Sequence, residues 1–317
     1  MKKGFRISRP GEVTEKMNKY LDRGALQGVY LGFPNIHKYY SMAIPGVTDW
    51  TGFPRSGKTE LLTEFLLNTS IFYGWKHLVY FPDVGNEDEV YSDLIHKYTG
   101  KTFDKRFKNL ISEEEIAKAT PWITEHFKVL VKDDPKAKMT PYEFWDMAVE
   151  EKEISGIQTA SIDAWKDMSH SREKEFGRTD QYLEDVLAYR NSIAEKHFLH
   201  LHQIVHPGKT DKVGGERLPP KPYDIKGGTE WFNNGKCMVT AHRVKDEKTK
   251  AEIHFNKIKP RSIGSEGVAE LDFDVRTRRY FFDDIGTAVF ASKDMKKSNA
   301  DQLQIQTMLG GDDDVPF

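Results

Sequence analysis

The run Gly52-Phe53-Pro54-Arg55-Ser56-Gly57-Lys58-Thr59 sets two glycines five positions apart and closes on a lysine and a hydroxyl. Glycines at those points let the backbone curl until successive N–H groups face an anion. Lys58 then reaches the terminal phosphates of a nucleotide and the Thr59 hydroxyl ligates Mg²⁺, so the chemistry expected is phosphoryl transfer from MgATP. A loop of this kind needs a further carboxylate for the magnesium shell, at the end of a neighbouring strand. Asp163, closing the apolar run 157–163, suits that role; capping a following helix is its other use. Asp83 follows the apolar run 77–81 and is a candidate to orient the attacking water, or else a turn aspartate before Gly85-Asn86.

These groups need elements to hold them. Val47-Thr48-Asp49-Trp50 reads as a strand leading into the loop, and Leu61, Leu62, Phe65, Leu66 and Thr69 fall at helical spacing over 58–72. Phosphate is thereby expected at a helix N-terminus. The runs 77–81, 157–163, 198–205 and 237–241 are of strand length and bounded by turn or polar residues, with a helical pattern over 180–196. Strand–helix alternation predicts an α/β fold with a mostly parallel central sheet flanked by helices. Closely spaced strands at 251–258, 268–274 and 278–282 predict a C-terminal antiparallel extension. Residues 10–23 look helical and polar, and Gly24, Gly28 and Gly32 then break the pattern. The chain divides into an N-terminal linker and helix over 1–45, an ATPase domain over 46–290, and a polar, flexible tail over 291–317.

The bulk numbers narrow the class. The 317 residues are 38% hydrophobic and 30% charged, which reads as globular and soluble. No apolar stretch approaches membrane-spanning length, and no export signal follows the basic start, so no membrane is expected. The single cysteine, Cys237, excludes internal disulfides and a thiolate zinc cluster and fits a reducing cytosol. A net charge of −2 is far from the basic balance of a protein that coats duplex DNA. Any nucleic-acid site is therefore a local patch, such as the lining of a ring.

The order of motifs resembles the RecA-like P-loop NTPase core of hexameric replicative DNA helicases of the DnaB/Twinkle type, in its phage and mitochondrial branch. The matching stretches are Gly28–Pro34 leading into Pro45-Gly46, the phosphate loop, Phe81-Pro82-Asp83-Val84 with Ile95–Lys101, and Gly156-Ile157 through Asp163. His206-Pro207-Gly208-Lys209, Ile225-Lys226-Gly227-Gly228 with Phe232-Asn233, and Ala241-His242-Arg243 complete them. The likeness runs from about residue 20 to about residue 282; each motif alone is weak, and the order is specific.

The resemblance implies a ring, a homo-oligomer of hexameric type, that hydrolyses ATP with Mg²⁺ while gripping single-stranded DNA. Asp83 falls where relatives have a glutamate one methylene longer, and His206 where they have a γ-phosphate sensor. Arg243 and Phe273 correspond to residues that sandwich the nucleotide base; a strand-end arginine and a core phenylalanine are the plain alternative. Relatives supply an arginine finger in trans, here from Lys257-Ile258-Lys259-Pro260-Arg261. Strict spacing selects Lys259, but lysine is the poorer forked donor, so Arg261 is named first. Channel-lining loops correspond to Trp165–Arg172, with Lys166 and Arg172, and to Gly208–Lys226, with Lys209, Lys212, Arg217, Lys221 and Lys226. Basic loops suit backbone phosphate contacts, although charged loops are commonly just solvated.

Asp312-Asp313-Asp314-Val315-Pro316-Phe317 resembles the acidic tip of bacterial single-stranded-DNA-binding proteins, which implies docking on a primase or another replication protein; a merely solubilising acidic tail is the alternative. With 45 residues ahead of the domain, no attached primase or zinc module is expected. An ATP-dependent replicative helicase or translocase is the first expectation. A RecA-like recombination or loading ATPase without unwinding activity is the alternative, and an inactive ring subunit is kept open by Asp83 and Lys259.

Overall fold

The computed structural model describes residues 6–208, 212–213, 216–244 and 249–282. Lys209 and the tail residues Asp312, Asp313, Asp314, Pro316 and Phe317 lie outside the described residues, as does the side chain of Lys212.

Among the described residues, nine strands form one sheet in the order β11-β10-β9-β8-β1-β5-β4-β2-β3. They are β1 (Gly46–Thr51), β2 (His77–Tyr80), β3 (Phe127–Val129), β4 (Thr159–Ile162), β5 (His200–Ile204), β8 (Cys237–Arg243), β9 (Lys250–Lys257), β10 (Gly267–Asp274) and β11 (Arg279–Phe281). A two-stranded ribbon, β6 (Lys212–Val213) with β7 (Glu216–Arg217), stands apart. The strands β8, β1, β5, β4, β2 and β3 run parallel, and β9, β10 and β11 add on antiparallel. Fully buried parallel strands explain why β2, β4 and β5 read as short apolar runs rather than alternating ones. β9 alternates buried and half-exposed residues, as a strand with one solvated face should.

The helices are α1 (Pro10–Arg23), α2 (Pro34–His37), α3 (Lys58–Tyr73), α4 (Glu87–Thr99), α5 (Glu113–His126), α6 (Pro141–Ser155), α7 (Glu173–Phe176), α8 (Thr179–His197) and α9 (Gly228–Asn234). α3 is buried on nearly every side, because the sheet, α4, β11 and the segment 30–43 enclose it. A helix so enclosed must be apolar all round or pair its polar groups internally. It does both: Leu61, Leu62, Phe65, Leu66 and Leu67 pack into the core, and Glu64 and Asn68 are fully buried with partners. Gly74 ends α3 in the left-handed region, its N–H closing on the Ser70 carbonyl. α1 buries no residue.

Two differences from the sequence pattern stand out. Leu31, Phe33, Ile36, Tyr40, Met42 and Ala43 are core residues, so the packed unit begins before residue 46. Between 102 and 156 the chain forms α5, β3 and α6, none of which its apolar spacing announces. Capping boxes start both helices: Ser112 with Glu115, and Thr140 with Glu143.

Candidate functional site

β1 lies between β8 and β5, and the parallel strands end together along one edge of the sheet. In open α/β sheets that edge is where ligands bind. The loop 52–57 turns there with Gly52 at φ 148°, Arg55 at φ 64° and Gly57 at φ 90°, and α3 starts at Lys58. A Cβ on Gly52 would lie 2.4 Å from the Ala241 carbonyl, and one on Gly57 would lie 2.6 Å from the Tyr280 hydroxyl, so the backbone must be bare at both positions. Pro54 and Arg55 are exposed, Phe53 is half-buried, and the Ser56 hydroxyl is buried with no partner.

Lys58 is buried and donates to the Phe53 carbonyl at 2.9 Å, so its ammonium arches over the loop. Burial lowers its pKa, and the carboxylates of Asp163 and Asp83 oppose that shift. Asp163 sits one residue past β4, buried, and accepts a hydrogen bond from the Thr59 hydroxyl. Burial pushes its carboxyl up to about 6, against the Thr59 hydrogen bond and with Asp83 adding to the rise. Among the described residues no cluster of three or more His, Cys, Asp or Glu side chains is placed to hold a metal. Thr59 and Asp163 alone suit Mg²⁺, which takes one or two protein oxygens and fills its octahedron with water and phosphate. The uncommitted Ser56 hydroxyl and the curled backbone fit phosphate.

Asp83 stands three residues past β2 and His206 two past β5, both at the same edge. His206 is half-buried and its Nδ1 has no partner. Its pKa is lowered, chiefly by burial and then by Lys58. Asp83 accepts from Lys166 Nζ at 2.7 Å, an ion pair that sequence spacing gives no sign of. Arg243 closes β8 at this edge, with its guanidinium 6.0 Å from the Phe273 ring centre, and Phe273 in turn packs on Tyr280. The two residues expected around a base therefore lie in contact, beside the loop.

A charged network missed by the sequence pattern grips the first turns of α3. Glu60 is paired with Lys97 at 2.9 Å and with Arg278, which also holds Asp93. Burial alone would raise the Glu60 carboxyl, but Lys97 and Arg278 hold it below its ordinary value. Arg279 and Glu64, both fully buried, pair behind them. Partners separated by roughly 180 to 220 positions leave no local trace.

The finger candidates lie elsewhere. Lys257 ends β9 opposite Met238 at the start of β8, whereas Arg243 at the edge that carries loop 52–57 pairs with Ala251. At a rise of roughly 3.3 Å per residue, the span 238–243 puts about 17 Å between the two ends. Lys259 and Arg261, both exposed, follow β9 at the far end. Of the loop cations, Lys226 is exposed and Arg172 lies over the Tyr142 ring at 4.2 Å and pairs with Glu175. Arg217 is exposed, 5.1 Å over the ring of Phe53 in the phosphate loop.

Comparison with known proteins gives the same architecture. One solved ATPase domain superposes with a TM-score of 0.70 at 13% identity, over 87% of this chain and 99% of that one. A DnaB-like replicative helicase, solved in a study of its interactions with primase, gives 0.68 at 13% identity, over 86% of this chain and 68% of that one. The chain has a RecA-like fold. The Twinkle homolog protein, chloroplastic/mitochondrial, of Arabidopsis thaliana is 25% identical over 280 residues, 84% of this chain. The chain spans 38% of the length of that relative. No family model matches. Within the RecA-like fold, the loop 52–59, Asp83, Asp163, His206 and Arg243 share the edge at which the parallel strands end, and Lys259 and Arg261 do not. No helix among the described residues is long and apolar enough to cross a membrane.

Proposed function

We propose that this protein is an ATP-driven DNA helicase of replicative type, a homo-oligomeric ring that moves along single-stranded DNA. The observation that carries the reading is the division of the site. Phosphate loop, carboxylates and histidine converge at one end of the sheet, while Lys259 and Arg261 project from the other. A cation there is about 17 Å from its own nucleotide edge along β8, yet well placed to meet the nucleotide of an adjacent copy in a head-to-tail ring. A single chain is thus an incomplete enzyme. Its likeness to a DnaB-like replicative helicase, to a second ATPase domain and to a Twinkle homolog supports the same reading.

In this reading the 52–57 amides cradle the β-phosphate and Lys58 meets the β- and γ-oxygens. Thr59 and Asp163 would hold Mg²⁺, which would supply neutralisation of phosphate charge. Asp83 accepts a hydrogen bond from the attacking water and takes its proton as the bond from γ-phosphorus to the bridging oxygen breaks. His206 approaches the γ-phosphate, and its loop runs on into 208–226, whose cations, with those of 165–172, grip the strand. Arg261, or Lys259, stabilises transition-state charge across the subunit boundary. The base stacks on Arg243 and Phe273, which must part from their 6.0 Å separation to take it between them.

The test is displacement of a labelled strand from a forked duplex with MgATP, beside particle mass with and without MgATP. The expected result is a larger particle with nucleotide and strand displacement that Lys58→Ala abolishes. ATP turnover without displacement on any fork would refute the helicase assignment and leave a loading ATPase.

A further inference from the structure

Lys166 lies in the short turn Trp165–Asp167 that follows Asp163, within a loop assigned above to DNA. Its ammonium reaches across to the other candidate catalytic loop, donating to Asp83 Oδ1 at 2.7 Å and to Asp167 Oδ2 at 3.2 Å. The pair is open to solvent, with side-chain exposures of 53% for Lys166 and 38% for Asp83. The backbone joins the same loops, since the Asp83 N–H points at the Asp163 carbonyl at 3.5 Å. Arg217, from the second loop assigned to DNA, rests on Phe53 of the phosphate loop. A cation from each loop assigned to DNA thus contacts a residue of a loop assigned to the nucleotide.

We infer that Lys166 is a positioning residue that couples DNA occupancy to ATP hydrolysis by exchanging Asp83 for a DNA phosphate. With no strand present, the ammonium occupies the carboxylate oxygen that the attacking water needs. A phosphodiester entering the channel competes for that ammonium. An exposed ion pair is weak, screened by salt and costly in side-chain entropy, so it yields to a phosphate held by several cations at once. Asp83 is then free to accept from water. A strongly buried pair could not switch in this way, and a lysine without a carboxylate partner would bind DNA but report nothing. The inference rests on the helicase reading, because it needs a strand to do the exchanging.

The experiment measures steady-state ATP turnover of the full chain with and without single-stranded oligothymidylate, and oligothymidylate affinity by anisotropy as a function of salt. Three proteins are compared: native, Lys166→Ala and Lys166→Arg. Lys166→Ala is expected to raise turnover without DNA by roughly two- to fivefold, the factor that an exposed ion pair can impose. Stimulation by DNA should fall towards one, and the salt slope of DNA binding should drop by about one. Lys166→Arg, which keeps both the pair and the phosphate contact, should restore a native stimulation ratio. If Lys166→Ala weakens DNA binding but leaves the stimulation ratio native, the lysine is a phosphate contact and the coupling is wrong. If turnover without DNA falls instead, Lys166 supports Asp83 rather than restraining it, which also overturns the inference. A native protein whose turnover ignores DNA would overturn this inference and the helicase reading together, whereas the other two failures leave that reading standing.

Discussion

Replacing Arg279 with methionine should loosen the floor of the nucleotide site, and the structure sets the size of the effect. Arg279 is fully buried at the start of β11, and its Nε donates to both carboxylate oxygens of Glu64 at 2.8 Å. One terminal nitrogen reaches the Lys97 carbonyl at 3.1 Å and the other Asn68 Oδ1 at 2.8 Å. Methionine fills much of the volume but leaves Glu64 a buried carboxylate whose remaining cation, Lys97, stands 3.8 Å away. Breaking a buried pair from one side costs about 3–5 kcal/mol. For a domain of this size that is a fall of roughly 6–20 °C in Tm. The double variant Glu64→Leu/Arg279→Met removes both charges and should be more stable than Arg279→Met alone, because it leaves no unpaired ion. The assay is urea unfolding followed by tryptophan fluorescence, without nucleotide. A loss under about 1 kcal/mol for Arg279→Met, or a double variant as unstable as the sum of its singles, would refute the assignment of an energetically coupled buried pair.

Asp83→Asn should cut ATP turnover at least tenfold while changing nucleotide affinity little, because orienting water matters in the transition state. Single-turnover rates and nucleotide titrations separate the two, and unchanged turnover would move the role to another carboxylate such as Glu87. Mixing Arg261→Ala subunits with Lys58→Ala subunits should restore part of the turnover that each lacks alone, since some interfaces then carry both residues intact; simple additivity would argue against a shared site. Three buried histidines predict acid lability. Burial drops His77 to about 3 and His200 to about 4, and holds His202 well below its ordinary value. Their stabilising contribution is complete above the unfolded value of about 6.5 and is lost as pH falls from there towards the folded values. The urea midpoint should therefore drop between pH 6.5 and 5, and His77→Phe should make that drop shallower. A flat midpoint over that range would show the three to be protonated without penalty.

Legibility in the sequence follows the range of the interactions involved. The phosphate loop, its strand and α3 are contiguous, so spacing within some 25 residues reveals all three. Asp163 and Asp83 are readable because each follows a buried parallel strand, and fully buried strands show as apolar runs. The antiparallel strands β9 to β11 fall within a residue or two of their expected bounds, helped by short, regular spacing. α5 and α6 escape such a reading because their apolar faces are narrow and interrupted; Ser112-x-x-Glu115 and Thr140-x-x-Glu143 are the signals on offer. Nothing local encodes Arg278 on Glu60, Arg279 on Glu64, or Lys166 on Asp83. Those partners meet only when tertiary folding brings β11 beside α3, or β4 beside β2.

That division has a chemical consequence for the site. The contiguous part, 52–59, has what is needed to bind phosphate, and phosphate binding alone does not hydrolyse ATP. Groups added by tertiary folding, Asp163, Asp83 and His206, come from three different strands of one sheet edge, so their spacing depends on that sheet remaining rigid. The buried Arg279–Glu64 pair and the Tyr280 hydroxyl, which donates to the Gly57 carbonyl at 3.3 Å, tie that edge to β11. β11 joins the sheet through β10 and β9, and β9 leads directly to Lys259 and Arg261. One continuous set of hydrogen-bonded strands therefore runs from the nucleotide loop to the residues proposed to serve the next subunit. In the proposed ring, a displacement at the γ-phosphate would reach the finger of the same subunit through that hydrogen-bonded sheet, the connection that sequential firing requires.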